Sequence, residues 1–302
     1  RGERATRDIV SRAMYEEMRR GKVTPNGGLY ISMAHLGPDK VRAMFKGMVE
    51  RCADCGFDLA GGLVEVVPTA HYMMGGVEFA ADTSTAMPGL FAAGEDTGGV
   101  HGANRLGGNG VANSTVYGGI AGETMAPWIA REGAFAEPDA AVIDAAVERS
   151  LRPFRLPAGD VNGLRDRLTD LMWDEVGILR TADSLRRGMA GLEDLAAELD
   201  ATGIPDAHRA FNLTWHDWMN LHSLILVSQA IAAAALARED SRGAHFREDF
   251  PETGDLATST YTAVRLDGGR IAVGMQPVAF TRVRPGESLV EGAGVPMAAA
   301  GE

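Results

Sequence analysis

The chain has 302 residues, enough for a sizeable core and for more than one domain. Its 29 Lys and Arg against 41 Asp and Glu leave a formal net charge of −12, which disfavours a general nucleic-acid or anionic-membrane surface but not a small anion held by a few arginines. Hydrophobic residues at 45% and charged residues at 23% exclude wholesale disorder.

Glycine is the compositional outlier at 38 residues and shows no collagen period, so it serves turns, close backbone approaches or ligand cradles. The chain opens on Arg1 rather than Met, and its first residues already read as a helix entry; the expectation is a piece of a longer polypeptide. Nothing at the start reads as a signal peptide. The apolar run Leu224 to Ala237 falls short of the roughly 20 residues of a spanning helix. Cys52 and Cys55 make no disulfide scaffold, and a cytosolic setting is expected.

In chain order, residues 5–20 predict a helix, with Thr6 placed to cap it and Ile9, Val10, Ala13, Met14 and Met18 at helical spacing. A loop follows from Gly21 to Gly28, then a strand over Leu29 to Met33. Pro38 opens one helix carrying Val41, Met44, Phe45 and Met48. Val64 to Val67 predicts a strand ended by Pro68, Met74 to Val77 a turn and a new strand start, and Leu90 to Ala93 a short apolar strand running into Glu95. After the loop Asp96 to Asn109, a small-residue helix is expected from Gly110 to about Ala126, of the kind that packs tightly against something. A polar connection over 131–162 holds one helix, Asp139 to Arg149. Residues 163–199 and Phe211 to Ala237 are strongly helical and predict an antiparallel helical unit. Tyr261 to Leu266 and Arg270 to Met275 flank Asp267-Gly268-Gly269, a hairpin signal.

The densest chemical signal lies between Thr69 and Glu123. A strand ends in an acidic residue, Glu95, and a glycine loop leads through His101-Gly-Ala-Asn-Arg105-Leu-Gly-Gly-Asn-Gly110 into a helix. A helix start of small residues suits an anion or an electron-rich group, because unpaired N–H groups and the helix dipole point there. A carboxylate at a strand end accepts bonds from sugar-like hydroxyls. The pattern alone fits a glycine-rich structural turn equally well.

Three segments of this region, Thr69-Ala-His-Tyr-Met-Met-Gly-Gly-Val77, Gly89-Leu-Phe-Ala-Ala-Gly-Glu95 and His101-Gly-Ala-Asn-Arg-Leu-Gly-Gly-Asn109, closely resemble the succinate dehydrogenase/fumarate reductase flavoprotein family, which includes L-aspartate oxidase. Thr6 to Arg12, Met172 to Arg180 and Ser241 to Pro251 resemble the same family in order, so the resemblance spans roughly residues 5–251. It implies an FAD cofactor and hydride transfer between flavin N5 and a four-carbon dicarboxylate, succinate or fumarate, with a proton exchanged at the neighbouring carbon. By motif, Arg7 falls on the proton-transferring arginine and Asp8 beside it. His71 and Arg105 fall on residues that bind a substrate carboxylate. Arg105 then offers a bidentate fork to that carboxylate. A guanidinium is a poor general base in water, so the role of Arg7 rests on the resemblance.

Glu95 falls on the acidic residue that binds flavin sugar hydroxyls. Gly110 and Val111 sit where helix-start amides meet the flavin's pyrimidine edge, and Tyr72 is grouped with them. The family usually has Ser-Leu where this chain has Gly110-Val111, a change that backbone contacts survive and a hydroxyl contact does not. The blander alternatives are a surface charge for Arg7 and a core or turn histidine for His71. Arg242 and His245 read as substrate contacts or as structural parts of a turn. Cys52-Ala-Asp-Cys55 lacks a second pair for a zinc site. His216 and His222 are not on one helical face, so no metal site is expected, and Trp215 and Trp218 read as core.

The resulting expectation is an α+β multidomain fragment. It comprises the end of a capping domain (1–63), the C-terminal part of an FAD-binding α/β domain (64–130), an antiparallel helical bundle domain (131–240) and a small C-terminal β region (241–302). No strand–GxGxxG–helix unit is present, so the chain alone is expected to lack half of the FAD site and to be inactive. The resemblance further implies an iron–sulfur partner subunit, with membrane contact made only through partners. The stretch from about Thr258 does not clearly follow the family and leaves partner identity open.

Overall fold

The computed structural model describes residues 5–134 and 137–288. It divides into two compact units, Arg1–Met73 and Met74–Glu302.

In the first unit, α1 (Arg7–Arg19) begins after Thr6, which occupies the cap position in extended conformation but makes no side-chain cap bond. Strands β1 (Leu29–Ser32) and β2 (Leu63–Val66) pair antiparallel, with Leu29 opposite Val66 and Ile31 opposite Val64. The single helix expected from Pro38 is two helices. α2 (Pro38–Met44) and α3 (Lys46–Asp54) are separated at Phe45, whose φ −124° and ψ 34° leave helical geometry. The break turns Val41, fully buried, towards Leu59, Ala60 and Val64, with Phe45, Val49 and Cys52 packed around them. Thr24, Asn26 and Glu65 tie the loop before β1 to β2. Thr24 and Asn26 both donate to the Glu65 carboxylate, the latter at 2.8 Å, while Thr24 Oγ1 accepts from Gly28 N–H at 2.9 Å.

In the second unit, the strands expected at Met74 to Val77 and Leu90 to Ala93 are reduced to single bridges, Val77 with Thr97 and Ser84 with Phe91. Each bridge is flanked by two backbone bonds, and the one at Phe91 extends no further where Thr83 takes left-handed geometry (φ 69°). The next helix, α4 (Asn109–Glu132), passes through Pro127 and runs past the expected end at Ala126. Only Asn113 and Ala121 on it are buried, and nothing among the described residues lies within 4 Å of a side-chain position at Gly118, Gly119 or Gly122. The tight packing expected of its small residues is therefore not seen among the described residues. Edge-on ring contacts, Phe79 with Tyr117 at 5.3 Å and Phe91 with Trp128 at 5.8 Å, hold the preceding loops against it.

The helical part is α5 (Ala140–Leu151), α6 (Val161–Val176), α7 (Ala182–Ala201) and α8 (Leu213–Ala237). Each start carries a side-chain cap: Asp139, Asp160, Thr181 with Ser184 in a reciprocal box, and Asn212. The apolar residues at helical spacing converge on one core, with Leu164 and Leu168 from α6, Leu185, Leu192 and Leu199 from α7, and Trp218, Leu221 and Ile225 from α8. Each such side chain contributes about 1.5–3 kcal/mol relative to exposure. α8 is longer than its apolar run. At 25 residues it is long and apolar enough to cross a membrane by length and composition, and a third of its most apolar window is buried in this core. The last strands among the described residues form the hairpin β3 (Thr260–Asp267) and β4 (Arg270–Pro277), turned by Gly268 (φ 56°) and Gly269 (φ 80°) as expected.

Candidate functional site

The singled-out residues fall in both units. In the first, Arg7 and Asp8 occupy the first turn of α1, where Arg7 is exposed and Asp8 is half-buried. Asp8 forms an ion pair with Arg12, one turn along, at 3.5 Å. His71, exposed, and Tyr72, half-buried, lie in the extended segment that follows β2 and Pro68.

The second unit holds Glu95, Arg105, Gly110 and Val111 around one loop, and the reason for the loop's shape is visible. Val77 N–H donates to Asp96 O at 2.8 Å, and Gly98 N–H returns a bond to Val77 O at 3.0 Å. At Gly76 the two chain segments run so close that a Cβ would sit 2.2 Å from Asp96 O. Next to this crossing, the Gly94 carbonyl accepts from Thr97 Oγ1 at 2.6 Å and from the buried Asn113 Nδ2 at 3.0 Å. Asn113 Nδ2 also lies 3.3 Å from His101 Nε2. Asn113, on the first turns of α4, thus fixes both the turn that exposes Glu95 and the start of the loop to Arg105. His101, which carries no expected role, is half-buried beside it.

Arg105 is half-buried. Its N–H lies 3.1 Å from Met74 Sδ, and its Nη1 donates to Leu106 O at 3.3 Å. Three residues on, Gly108 provides the N-cap of α4 in left-handed conformation without a side chain to fold back, so no side-chain cap covers the helix start. Gly110 and Val111 are in the first turn, where amides have no intrahelical acceptor. Val111 is 77% exposed. Ser114, one turn further, donates to Gly110 O at 3.2 Å, a hydroxyl close to where the family's serine is missing.

This donor set fits a flavin. It offers uncovered helix-start amides at the positive end of the dipole and an exposed carboxylate for hydroxyls, both on a loop closed by backbone contacts. Glu95, Gly110 and Val111 would hold it.

Arg242 and His245 are engaged in structure. Arg242 donates to Ser259 Oγ at 2.7 Å and pairs with Asp240 at 3.2 Å. His245 Nδ1 lies 2.8 Å from Arg180 Nη1; a guanidinium only donates, so Nδ1 accepts and the ring proton sits on Nε2. Burial, with the Arg180 charge next in weight, holds the His245 imidazole down to about 4. Arg180 is itself lowered to about 10 by burial and by the nearby Arg247 charge. Sequence reasoning missed Arg180, Asn113 and the Arg247–Asp249 pair as organising residues. The only signal for the last was its place in Ser241 to Pro251. Cys52 and Cys55 are free thiols, and no group of His, Cys, Asp and Glu among the described residues is arranged to hold a metal ion.

Residues 165–290 match the fumarate reductase flavoprotein C-terminal family, and residues 1–111 match an FAD-binding domain family. One component of the fumarate reductase (CoM/CoB) of Methanothermobacter marburgensis is 38% identical over 84% of this chain and 46% of its own length. L-aspartate oxidase of a Synechocystis strain is 30% identical over 84% of this chain and 47% of its own length. Among solved structures, the FrdA protein of E. coli quinol fumarate reductase superposes with a TM-score of 0.85 at 32% identity, covering 93% of this chain and 50% of that one. The chain spans about half the length of the curated relatives it matches.

Proposed function

Because the chain belongs to the succinate dehydrogenase/fumarate reductase flavoprotein family, whose cofactor is FAD, we propose that it serves the interconversion of succinate and fumarate. When bound, FAD supplies the two-electron hydride chemistry. The chain's own residues bind and orient the dicarboxylate and move a proton. Arg105 grips one carboxylate through its fork, and His71 adds a second donor. Arg7 exchanges the proton at the carbon next to the one that gains or loses hydride, with Asp8 beside it in the sequence. Glu95, Gly110, Val111 and Tyr72 bind the cofactor.

The observation that carries this reading is the loop from Gly94 to Asn109. It combines an exposed carboxylate, a half-buried arginine and an uncovered helix start, held by Asn113 and by the crossing of Val77 with Thr97. The names of the fumarate reductase relatives, which are subunits of larger enzymes, support a partner subunit, for which an iron–sulfur electron carrier is the proposed type. The four-part division into capping, FAD-binding, helical and β regions is part of the same proposal.

The test is steady-state fumarate reduction with a reduced dye by the flavin-loaded whole protein that carries this chain, beside oxidation of succinate and of L-aspartate. Turnover of fumarate and succinate is expected. Arg105→Ala should lose roughly 2–5 kcal/mol of transition-state stabilisation. Turnover of L-aspartate alone would move the assignment to L-aspartate oxidase. Unchanged dye-linked activity in Arg105→Ala would make this chain an assembly module.

A further inference from the structure

We propose that the turn from Ser241 to Arg247 is a positioning element for substrate capture, clamping the main chain of the loop that carries Arg105. The inference rests on the reading of Arg105 as the carboxylate-binding residue. Ala244 N–H donates to Ala103 O at 3.0 Å, two residues before Arg105 in the chain. Gly243, beside it, has φ 59°, and a Cβ there would lie 2.2 Å from Ala103 O, 2.6 Å from Ala103 C and 2.9 Å from Ala103 Cβ. A side chain at this position cannot be accommodated without moving Ala103, because the obstruction is backbone rather than the end of a flexible side chain.

The clamp needs a fixed base, and the turn has one. Arg242 and His245 exchange both backbone bonds, at 2.8 and 3.1 Å. Ser241 Oγ accepts from Arg247 N–H at 2.8 Å and donates to Phe250 O at 2.8 Å. Arg247, 1% exposed, donates to Ala235, Leu236 and Arg238 carbonyls at the end of α8. One end of the turn is therefore locked to the helical core, and its tip sets the height of the Arg105 loop. The turn acts through Ala103; its own charged groups bond to Asp240, Ser259, Arg180 and Asp249, with Arg242 Nε and His245 Nε2 buried without a hydrogen-bond partner among the described residues.

Geometry explains why such a clamp matters. A bidentate fork is directional, and a misplacement of about 1 Å can cost on the order of 100-fold. Gly243→Ala should push the Ala103 carbonyl by roughly that distance and shift Arg105 with it.

The experiment compares Gly243→Ala, Arg105→Ala and the double variant in the same flavin-loaded whole protein. It reads KM and kcat for fumarate, Kd for malonate from the perturbed flavin absorbance, and flavin content. Gly243→Ala is expected to raise KM and the malonate Kd about tenfold or more, with kcat and flavin content changed by less than about threefold. In the Arg105→Ala background it should add nothing, because its effect runs through Arg105. An unchanged malonate Kd in Gly243→Ala, or an equal loss in both backgrounds, overturns the clamp. If Arg105→Ala itself leaves malonate binding intact, the functional reading falls instead. Should Gly243→Ala fail to fold, hydrogen exchange of the unmodified protein carries the test. The Ala244 amide is expected to slow when malonate binds, and an unchanged rate overturns the proposal.

Discussion

Arg247 is held by Asp249 through two parallel bonds, Nε to Oδ1 at 2.7 Å and Nη2 to Oδ2 at 2.8 Å, while its remaining nitrogen caps the last carbonyls of α8. Asp249 Oδ2 also accepts the Ala182 N–H that opens α7, at 2.7 Å. One ion pair therefore joins the end of one core helix to the start of another, with the Phe250 ring 4.9 Å from the guanidinium carbon. Arg247 is 1% exposed but the Asp249 side chain is 30% exposed, so removing the arginine chiefly strips the carbonyls at the end of α8 of their donor, which costs about 1–3 kcal/mol. Arg247→Ala should lower the unfolding free energy by that amount. Arg247→Lys should recover less than half, because an ammonium cannot reproduce the fork. Urea unfolding with an unchanged m-value is the check, and a cost below about 1 kcal/mol would refute the pair's importance.

The same region should make stability acid-sensitive in two steps. The His245 imidazole titrates at about 4 in the folded protein against 6.5 ordinarily, so between those values the unfolded chain holds more protons. Stability is therefore full above pH 6.5 and declines as the pH falls towards 4, by roughly 3 kcal/mol at most. Asp249 is held down to about 2 by its bonds from Arg247, against an ordinary 3.8, and its contribution is lost as the pH falls through that lower window. His245→Gln keeps an acceptor for Arg180 but cannot protonate. Its urea midpoint should fall less steeply than that of the unmodified protein between pH 6.5 and 4, the remaining slope coming in part from His222, which burial also lowers, and should still fall below; a slope equal to that of the unmodified protein would refute the assignment.

How far the sequence reached can be argued from particular residues. Leu164 to Leu199 reads as helix because burial repeats every three or four residues, and the core bears this out. The break between α6 and α7 is hidden because Leu179 keeps the apolar spacing through a non-helical segment. The stop is set by the Thr181–Ser184 box, a polar signal inside an apolar pattern. At Phe45 no glycine or proline marks the break; tertiary packing of Val41 and Val49 makes it. Leu90 to Ala93 has strand composition, but its pairing stops at one bridge, Phe91 with Ser84, flanked by the Thr85 N–H to Leu90 O and Ala92 N–H to Thr83 O bonds. The Arg105 loop was legible because its residues are contiguous. The Arg180–His245 contact joins residues 65 apart, and no local pattern announces such a pair.

Trp218 offers a separate test of the helical core. It is 1% exposed, packs edge-on against His222 at 4.3 Å and donates Nε1–H to Thr202 O at 2.8 Å, pinning the end of α7 to α8. Trp218→Ala should cost about 3–5 kcal/mol through cavity and transfer terms together. Trp218→Phe keeps most of the ring but leaves a carbonyl without its donor, so about 1–3 kcal/mol is expected. If Trp218→Phe proves as stable as the unmodified protein, the indole bond contributes nothing and the ring alone matters.

Cofactor affinity should depend on Glu95 in a graded way that separates its charge from its shape. It is exposed at the turn fixed by the Gly94 carbonyl, which Thr97 and Asn113 both grip. A carboxylate accepting from a sugar hydroxyl makes a charge-assisted bond, roughly twice as strong as the neutral one that an amide oxygen can offer. Glu95→Gln should therefore weaken FAD binding about tenfold and Glu95→Ala about 10- to 100-fold, each tenfold being about 1.4 kcal/mol. Asn113→Ala should weaken it too, by freeing the turn, and should lower thermal stability as well because a buried carbonyl loses a donor. Arg105→Ala, aimed at the substrate, should leave FAD affinity within about twofold. Flavin fluorescence titration of the whole protein, with thermal unfolding of the flavin-free variants as the control, reads all four. Equal affinity in Glu95→Ala and the unmodified protein would remove Glu95 from the cofactor site, and a large loss in Arg105→Ala would mean that the two sites are not separable by residue.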